Sequence, residues 1–181
     1  MALIVEDGSV VAGADSYAAV AFADQYLSDR GYAAWTMLSQ TQKEVALRQG
    51  TQYINFKYLQ RWKGQRLNVI QTLQWPRFGV MLDSVRSSSN SSFDSGIFHG
   101  LIPSNIVPVP VQQATCEAAV RASSAQLAPD LPRGGRIQSR KIDVIETTYF
   151  NDAPSSTTFP LIEMILGDYI SSASSCDLVR C

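Results

Sequence analysis

The 181-residue sequence predicts a mainly α, α+β fold: a bundle of about four helices with one β-strand or hairpin and a long loop. Three observations lead there. Apolar residues recur at helical spacing in four separate stretches. Between Arg136 and Phe150 the spacing changes to alternation. The serine-rich segment 84–98 has no period at all. An apolar share of 45% can supply a core, and the length suits a single domain over 1–181.

The first helix, capped by Asp15 or Ser16, is expected to run to Arg30 and stop at Gly31. Tyr17, Val20, Ala21 and Leu27 share one side of it. Ser39 opens a second helix with a Ser-x-x-Gln capping box closed by Gln42. Its apolar face is Leu47, Ile54 and Tyr58, flanked by Phe56 and Leu59. Gly50 sits inside this helix, where glycine costs about 1 kcal/mol against alanine, so it predicts a close helix contact.

Periodicity then vanishes until Pro110. The series Pro103, Pro108 and Pro110 gives an extended lead-in, with Pro110 suited to a helix's first turn. A third helix follows over 111–126, where Ala114, Ala118 and Ala122 form a small-residue strip for close approach of a helix from this subunit or the next. In 136–150, Ile142 and Val144 lie on one phase and Ile145, Thr147 and Tyr149 on the other, placing a bulge or tight turn near 143–145. Pro160 opens a last helix with Leu161, Ile162, Ile165, Leu166 and Tyr169 on its buried side. The serine-rich tail 171–181 is expected to fray.

Composition excludes several classes. No apolar run approaches the ~18–20 residues of a membrane span, and the opening Met1-Ala2-Leu3-Ile4-Val5-Glu6-Asp7 lacks the basic region of a signal peptide. Cys116, Cys176 and Cys181 form no C-x-x-C pair, so neither a zinc ribbon nor a disulfide framework is indicated, and assembly in a reducing cytoplasm is expected. Charged residues make up only 17%, which raises oligomerisation as an expectation. Charge is also segregated: the net is −4 over 1–42, +6 over 43–86 and −3 over the remainder. Such asymmetry fits a nucleic-acid footprint or complementary faces of neighbouring copies.

Catalytic patterns are missing. His99 lies near Asp94 and Ser95 in the serine-rich loop, without a nucleophile elbow or oxyanion glycines, and reads as a solvated histidine. Cys116 reads as a small hydrophobe in a helix, and Cys176 and Cys181 have no histidine beside them. No phosphate-binding glycine loop occurs. Arg133-Gly134-Gly135-Arg136 reads as a turn, and Glu163 and Asp168 are five apart on a helix and need not face each other. The sequence therefore predicts no enzyme, no cofactor and no metal.

One cluster is more informative. Lys57-Tyr58-Leu59-Gln60-Arg61-Trp62-Lys63-Gly64-Gln65-Arg66, followed by Trp75-Pro76-Arg77, interleaves cations with aromatic rings. Single-stranded nucleic-acid grooves use that mixture, neutralising phosphates and stacking bases. On this reading Lys57, Arg61, Lys63 and Arg66 bind DNA while Trp62 stacks. On the other, favoured because no nucleic-acid fold motif accompanies the cluster, Tyr58, Trp62 and Trp75 are core anchors and the arginines pair with a neighbour's acids.

The landmarks are ordered: Glu6-Asp7-Gly8, Ser16-Tyr17, Trp62-Lys63-Gly64-x-Arg66, Gln71-Thr72-Leu73-Gln74-Trp75-Pro76-Arg77-x-Gly79, Ile102-Pro103 and Val107-Pro108. Ala114-Thr115-Cys116-Glu117-Ala118-Ala119, Asp130-Leu131-x-Arg133-Gly134-Gly135, Thr147-Thr148-Tyr149 and Pro160 follow. Over roughly residues 3 to 170 this order resembles the head–tail connector, or adaptor, proteins of tailed bacteriophages, part of which group is described as similar to DnaT-like single-stranded-DNA-binding proteins. The serine-rich insertion at 84–98 departs from that pattern. The resemblance implies a virion protein of the neck, assembled in the host cytoplasm. It would form a ring, expected to be a dodecamer, under the portal protein. That ring would extend the channel for packaged DNA and dock a stopper, neck or tail protein. It implies no catalytic residue. Phe93, Ile97 and Phe98, large apolar groups on a polar loop, are the expected partner-binding anchors, the alternative being that Ile97 and Phe98 tuck under the loop's own base beside Leu101. The tail 171–181 is the expected portal contact.

Overall fold

The computed structural model describes residues 2–82, 100–129, 139–142, 145–148 and 157–171. Their elements are α1 (Val20–Ser28), the one-turn α2 (Ala33–Thr36), the long α3 (Gln40–Lys57), β1 (Gln65–Arg66), β2 (Arg77–Phe78), α4 (Val109–Ala122), β3 (Ser139–Ile142), β4 (Ile145–Thr148) and α5 (Pro160–Leu166). A 3-10 turn at Gly167–Tyr169 extends α5. The architecture is mostly helical with small antiparallel ladders, the α+β fold that the sequence predicts. Five helices replace the expected four, because α2 is too short to show a period.

Helix α3 is built as its sequence dictates. The Ser39 hydroxyl accepts the Gln42 amide while the Gln42 side chain accepts the Ser39 amide, the reciprocal capping box. Leu47, Ile54 and Tyr58 are buried, whereas Phe56 and Leu59 stay exposed. At Gly50 the helix meets α4: a Cβ there would lie 2.8 Å from both the Thr115 carbonyl oxygen and the Ala119 nitrogen. The expected close contact is therefore within one subunit. Ala114 and Ala118 of the small-residue strip are buried in the same core and so pack within the subunit, while Ala122 is half-buried and lines a groove beside α3.

Helix α1 starts later than expected. Its N-cap is Ala19, without a side-chain cap, because both expected caps are used elsewhere. Asp15 accepts the Ile4 amide at 2.9 Å and pairs with Arg48 at 2.6 Å, and the Ser16 hydroxyl closes a turn on Ala18. The shift moves the buried face to Ala23, Tyr26 and Leu27 and leaves Ala21 exposed. Gly31, at φ +73°, ends the region as predicted. Helix α4 begins with Pro110 in its first turn and ends at Ala122, four residues early. There the Ser123 and Ser124 hydroxyls turn back onto the Val120 and Arg121 carbonyls, which competes with a further helical turn. In α5, Ile162, Leu166 and the following Tyr169 are buried, but Leu161 is exposed.

The region 136–150 contains a hairpin: β3 and β4 pair antiparallel, Ser139 opposite Thr148 and Ile142 opposite Ile145. Two apolar clusters form the interior. One gathers Tyr17, Ile54, Tyr58, Trp62, Trp75, Val111 and Ile162 between α3, α4 and α5. The other gathers Ala23, Leu27, Trp35, Leu47, Cys116 and Ala119 between α1, α2, α3 and α4. Cys116 is buried as expected, and burial pushes its thiol up to about 12.

Gly50→Ala isolates the helix contact. Helix propensity alone favours alanine by about 1 kcal/mol, but backbone atoms block the new methyl on the facing helix. We expect a net loss of about 1–3 kcal/mol in urea unfolding. Stabilisation by the substitution would contradict the packing.

Candidate nucleic-acid interface

The basic–aromatic cluster runs from the last turn of α3 through β1 and β2. Its rings face inward. Trp62 is 6% exposed, and Trp75 and Tyr58 are at 0% and 1%. Tyr58, Trp62, Trp75 and Tyr169 stand edge-to-face in sequence, with centroids about 6 Å apart at each step: 6.0, 5.9 and 6.0 Å. Neither Trp62 nor Trp75 finds an acceptor for its indole N–H among the described residues, so packing alone holds both rings. Of the two readings of the cluster, this burial suits the favoured one, in which Tyr58, Trp62 and Trp75 are core anchors, and it leaves Trp62 little exposed ring for a nucleobase.

The cations divide. The Arg61 guanidinium donates to the Ser171 carbonyl at 3.0 Å, pairs with Glu163 at 3.6 Å and lies over the Tyr58 ring. Its acid is thus in its own chain and not in a neighbour. Arg66 donates to the carbonyls of Val69 and Gln71. Lys57 is exposed, and Lys63 is half-buried with its backbone tied to Tyr169. Arg77, to which the sequence assigns no separate role, is buried and donates to four oxygens: the Lys63, Gly64 and Gln74 carbonyls and the Gln74 side chain. Desolvation lowers its pKa, and its role is to clamp β2 to the turn at Gly64. Gly64 itself, at φ +67°, has no room for a Cβ against the Phe78 carbonyl.

Three further polar centres were invisible in the spacing. The Tyr17 hydroxyl is buried, donates to Asn55 Oδ1 and accepts the Gln74 and Trp75 amides at 2.9 and 3.2 Å. Burial pushes its phenol well above the ordinary tyrosine range. On α4, the carboxylate of buried Glu117 accepts from Tyr26 at 3.3 Å, Tyr32 at 2.9 Å and Arg121 at 2.8 Å. Glu6, equally buried, accepts the backbone amides of Gly8, Val10 and Val11. Each of these buried groups is engaged by several partners and ties together segments distant in sequence or successive turns of one loop. Among the described residues no group of three or more His, Cys, Asp or Glu side chains gathers as a metal site, and no helix is long and apolar enough to cross a membrane.

The surface is apolar where the cluster is not. Residues 66–71 form a loop fixed by its own side chains: Asn68 accepts the Ile70 amide at 3.2 Å, and Gln71 accepts the Asn68 amide at 2.8 Å. Gln71 also donates to the Leu73 and Pro76 carbonyls. At its tip Val69 and Ile70 are 91% and 83% exposed. A groove of about 500 Å³ lies between the C-terminal half of α3 and residues 122–128, walled by Tyr53, Phe56, Ala125 and Leu127, with Lys57 at its edge. The expected anchors Phe93, Ile97 and Phe98, the trio Asp94, Ser95 and His99, the Arg133–Arg136 run and both tail cysteines lie outside the described residues.

Fold and site together define a small, mostly helical α+β protein whose landmark residues hold its own backbone. The chain belongs to the family described as "Putative DnaT-like ssDNA binding protein", whose model matches residues 1–181. No curated protein and no solved structure matches it.

The burial of the rings has an optical consequence. All three tryptophans, Trp35, Trp62 and Trp75, are buried. Their emission should be blue-shifted, weakly quenched by acrylamide and unchanged by a saturating thymidine oligonucleotide. Strong quenching by the oligonucleotide would show a ring stacked on bases and refute the packing role.

Proposed function

We propose that this protein is a non-catalytic head–tail adaptor of a tailed phage. Copies form a ring under the portal, extend the DNA channel and dock the next neck or tail protein. The observation that carries this reading is the exposed apolar surface. Met37, Phe56, Val69, Ile70 and Met164 each hold at least two thirds of their surface in solvent, on a chain with only 17% charged residues. Two of them are adjacent on a loop that is already ordered. Such surface suits burial against other proteins. The ordered landmarks add support, since the connector group they resemble includes proteins described as DnaT-like.

A second reading, single-stranded-DNA binding, is the one the family description favours. The geometry gives it a restricted form. With the indoles buried, contact with DNA would be electrostatic, through Lys57, Lys63 and neighbouring cations. Affinity would then fall with salt at a log–log slope of about −0.7 per phosphate contact and show no base preference.

Electron microscopy of the virion neck separates the two. The adaptor reading expects twelve-fold density for this chain at the portal–tail junction, retained when Lys57 and Lys63 are changed to glutamine. Neck density without this chain, together with salt-dependent oligonucleotide binding that those two substitutions abolish, would replace it with the second reading.

A further inference from the structure

The loop 66–71 and the groove on α3 have opposite shapes, and neither is covered among the described residues. The loop is a preformed projection. Its backbone is locked by Arg66, Asn68 and Gln71, so little ordering remains to be lost when it binds. Val69 and Ile70 at its tip make no use of that order within the subunit, being almost fully exposed. The groove is a preformed concavity with aromatic and aliphatic walls from Tyr53, Phe56, Ala125 and Leu127. Its volume of about 500 Å³ gives room for two branched aliphatic side chains. Its polar lining is Gln49, Gln52, Gln126 and Lys57, with no carboxylate. The cation next to the loop tip, Arg66, is already bonded to the Val69 and Gln71 carbonyls. Seating the tip in the groove therefore desolvates apolar surface and amides, with only Lys57 as a charge at the edge.

The two surfaces share no residue. The loop is tied to the N-terminal arm through Thr72, whose hydroxyl donates to the Ala14 carbonyl. The groove is formed where the chain leaves α4 and runs back along α3. A contact between unlike patches of identical chains is heterologous, and repeats of it generate a ring when the rotation closes.

We propose that successive subunits join by this contact, with Val69 and Ile70 of one copy seated in the α3 groove of the next. The inference rests on the ring reading above and names the surfaces that build the ring.

Disulfide trapping tests it on the full chain, in a Cys176→Ser, Cys181→Ser background that leaves only the buried Cys116. Val69→Cys and Ala125→Cys place one thiol on the loop and one on the groove wall. Mixed at high concentration under oxidation, the two variants should give a disulfide-linked heterodimer at least tenfold faster than either gives a homodimer. The double variant should give a ladder of oligomers. Equal trapping by Val69→Cys alone would show a like-to-like contact, and no trapping at millimolar protein would show no contact; either overturns the proposal. A second pair, Leu67→Cys on the exposed flank of the loop with Ala125→Cys, leaves the tip residues free to be changed. Val69→Asp with Ile70→Asp should abolish trapping of that pair and leave the melting temperature within about 2 °C. A larger drop would show that the subunit's own chain covers the loop, and would equally overturn the proposal. If the chain is found in the neck but the first pair does not trap, the adaptor reading stands and this interface falls. If that pair traps but the neck lacks the chain, the interface stands and the adaptor reading falls.

Discussion

The buried hydroxyl of Tyr17 is the junction on which the middle of the molecule depends. It joins three segments distant in sequence: the N-terminal arm that carries it, Asn55 on α3, and the amides of Gln74 and Trp75. Those two amides have no strand or helix to pair with, and an unpaired buried amide costs about 1–3 kcal/mol. The phenol accepts both, and Asn55 Oδ1, which the phenol itself bonds, shares the Gln74 amide at 3.2 Å. That fixes where Trp75 enters the core, and Trp75 in turn sets Trp62 and Tyr169 against it. Gln74 then offers two of the four oxygens that hold Arg77. The exposed loop 66–71 hangs on the same frame through Gln71, which bonds the Leu73 and Pro76 carbonyls.

This frame accounts for a cluster whose composition suggests nucleic acid. Cations alternate with rings at 57–77 because the rings plug the end of the core and the guanidinium groups saturate carbonyls around them. Arg77 does so with buried geometry, and Arg61 and Arg66 do so nearer the surface. What remains outside is the apolar tip at Val69 and Ile70, the groove beside Phe56, and the charge of Lys57.

Local rules were legible in the sequence wherever one residue type has one use. Ser39 and Gln42 marked the start of α3, Pro110 the first turn of α4, and Gly50 a point where two helices touch. The alternation within 136–150 marked the paired strands β3 and β4. The start of α1 was not legible, because Asp15 and Ser16 suit a cap equally well as the tertiary bonds to Arg48, Ile4 and Ala18 that they make. Glu117 stayed hidden for a similar reason: on a helical wheel it is an ordinary acid, and its burial depends on Tyr26 and Tyr32 arriving from 91 and 85 residues away. The interleaved rings at 58–75 were legible as a set but not as inward- or outward-facing. Only the bonds from Tyr17, on another segment, decide that.

Amide hydrogen exchange at Gln74 and Trp75 measures this dependence most directly. If the Tyr17 hydroxyl holds the middle of the molecule, both amides exchange as slowly as those in the centre of α3, and Tyr17→Phe releases the Trp75 amide most, the Gln74 amide less because Asn55 still accepts it, while α4 stays protected. If both amides exchange at the rate of open loops in the unaltered protein, the segment 62–80 is not fixed from within, and the inward packing of its rings is contradicted.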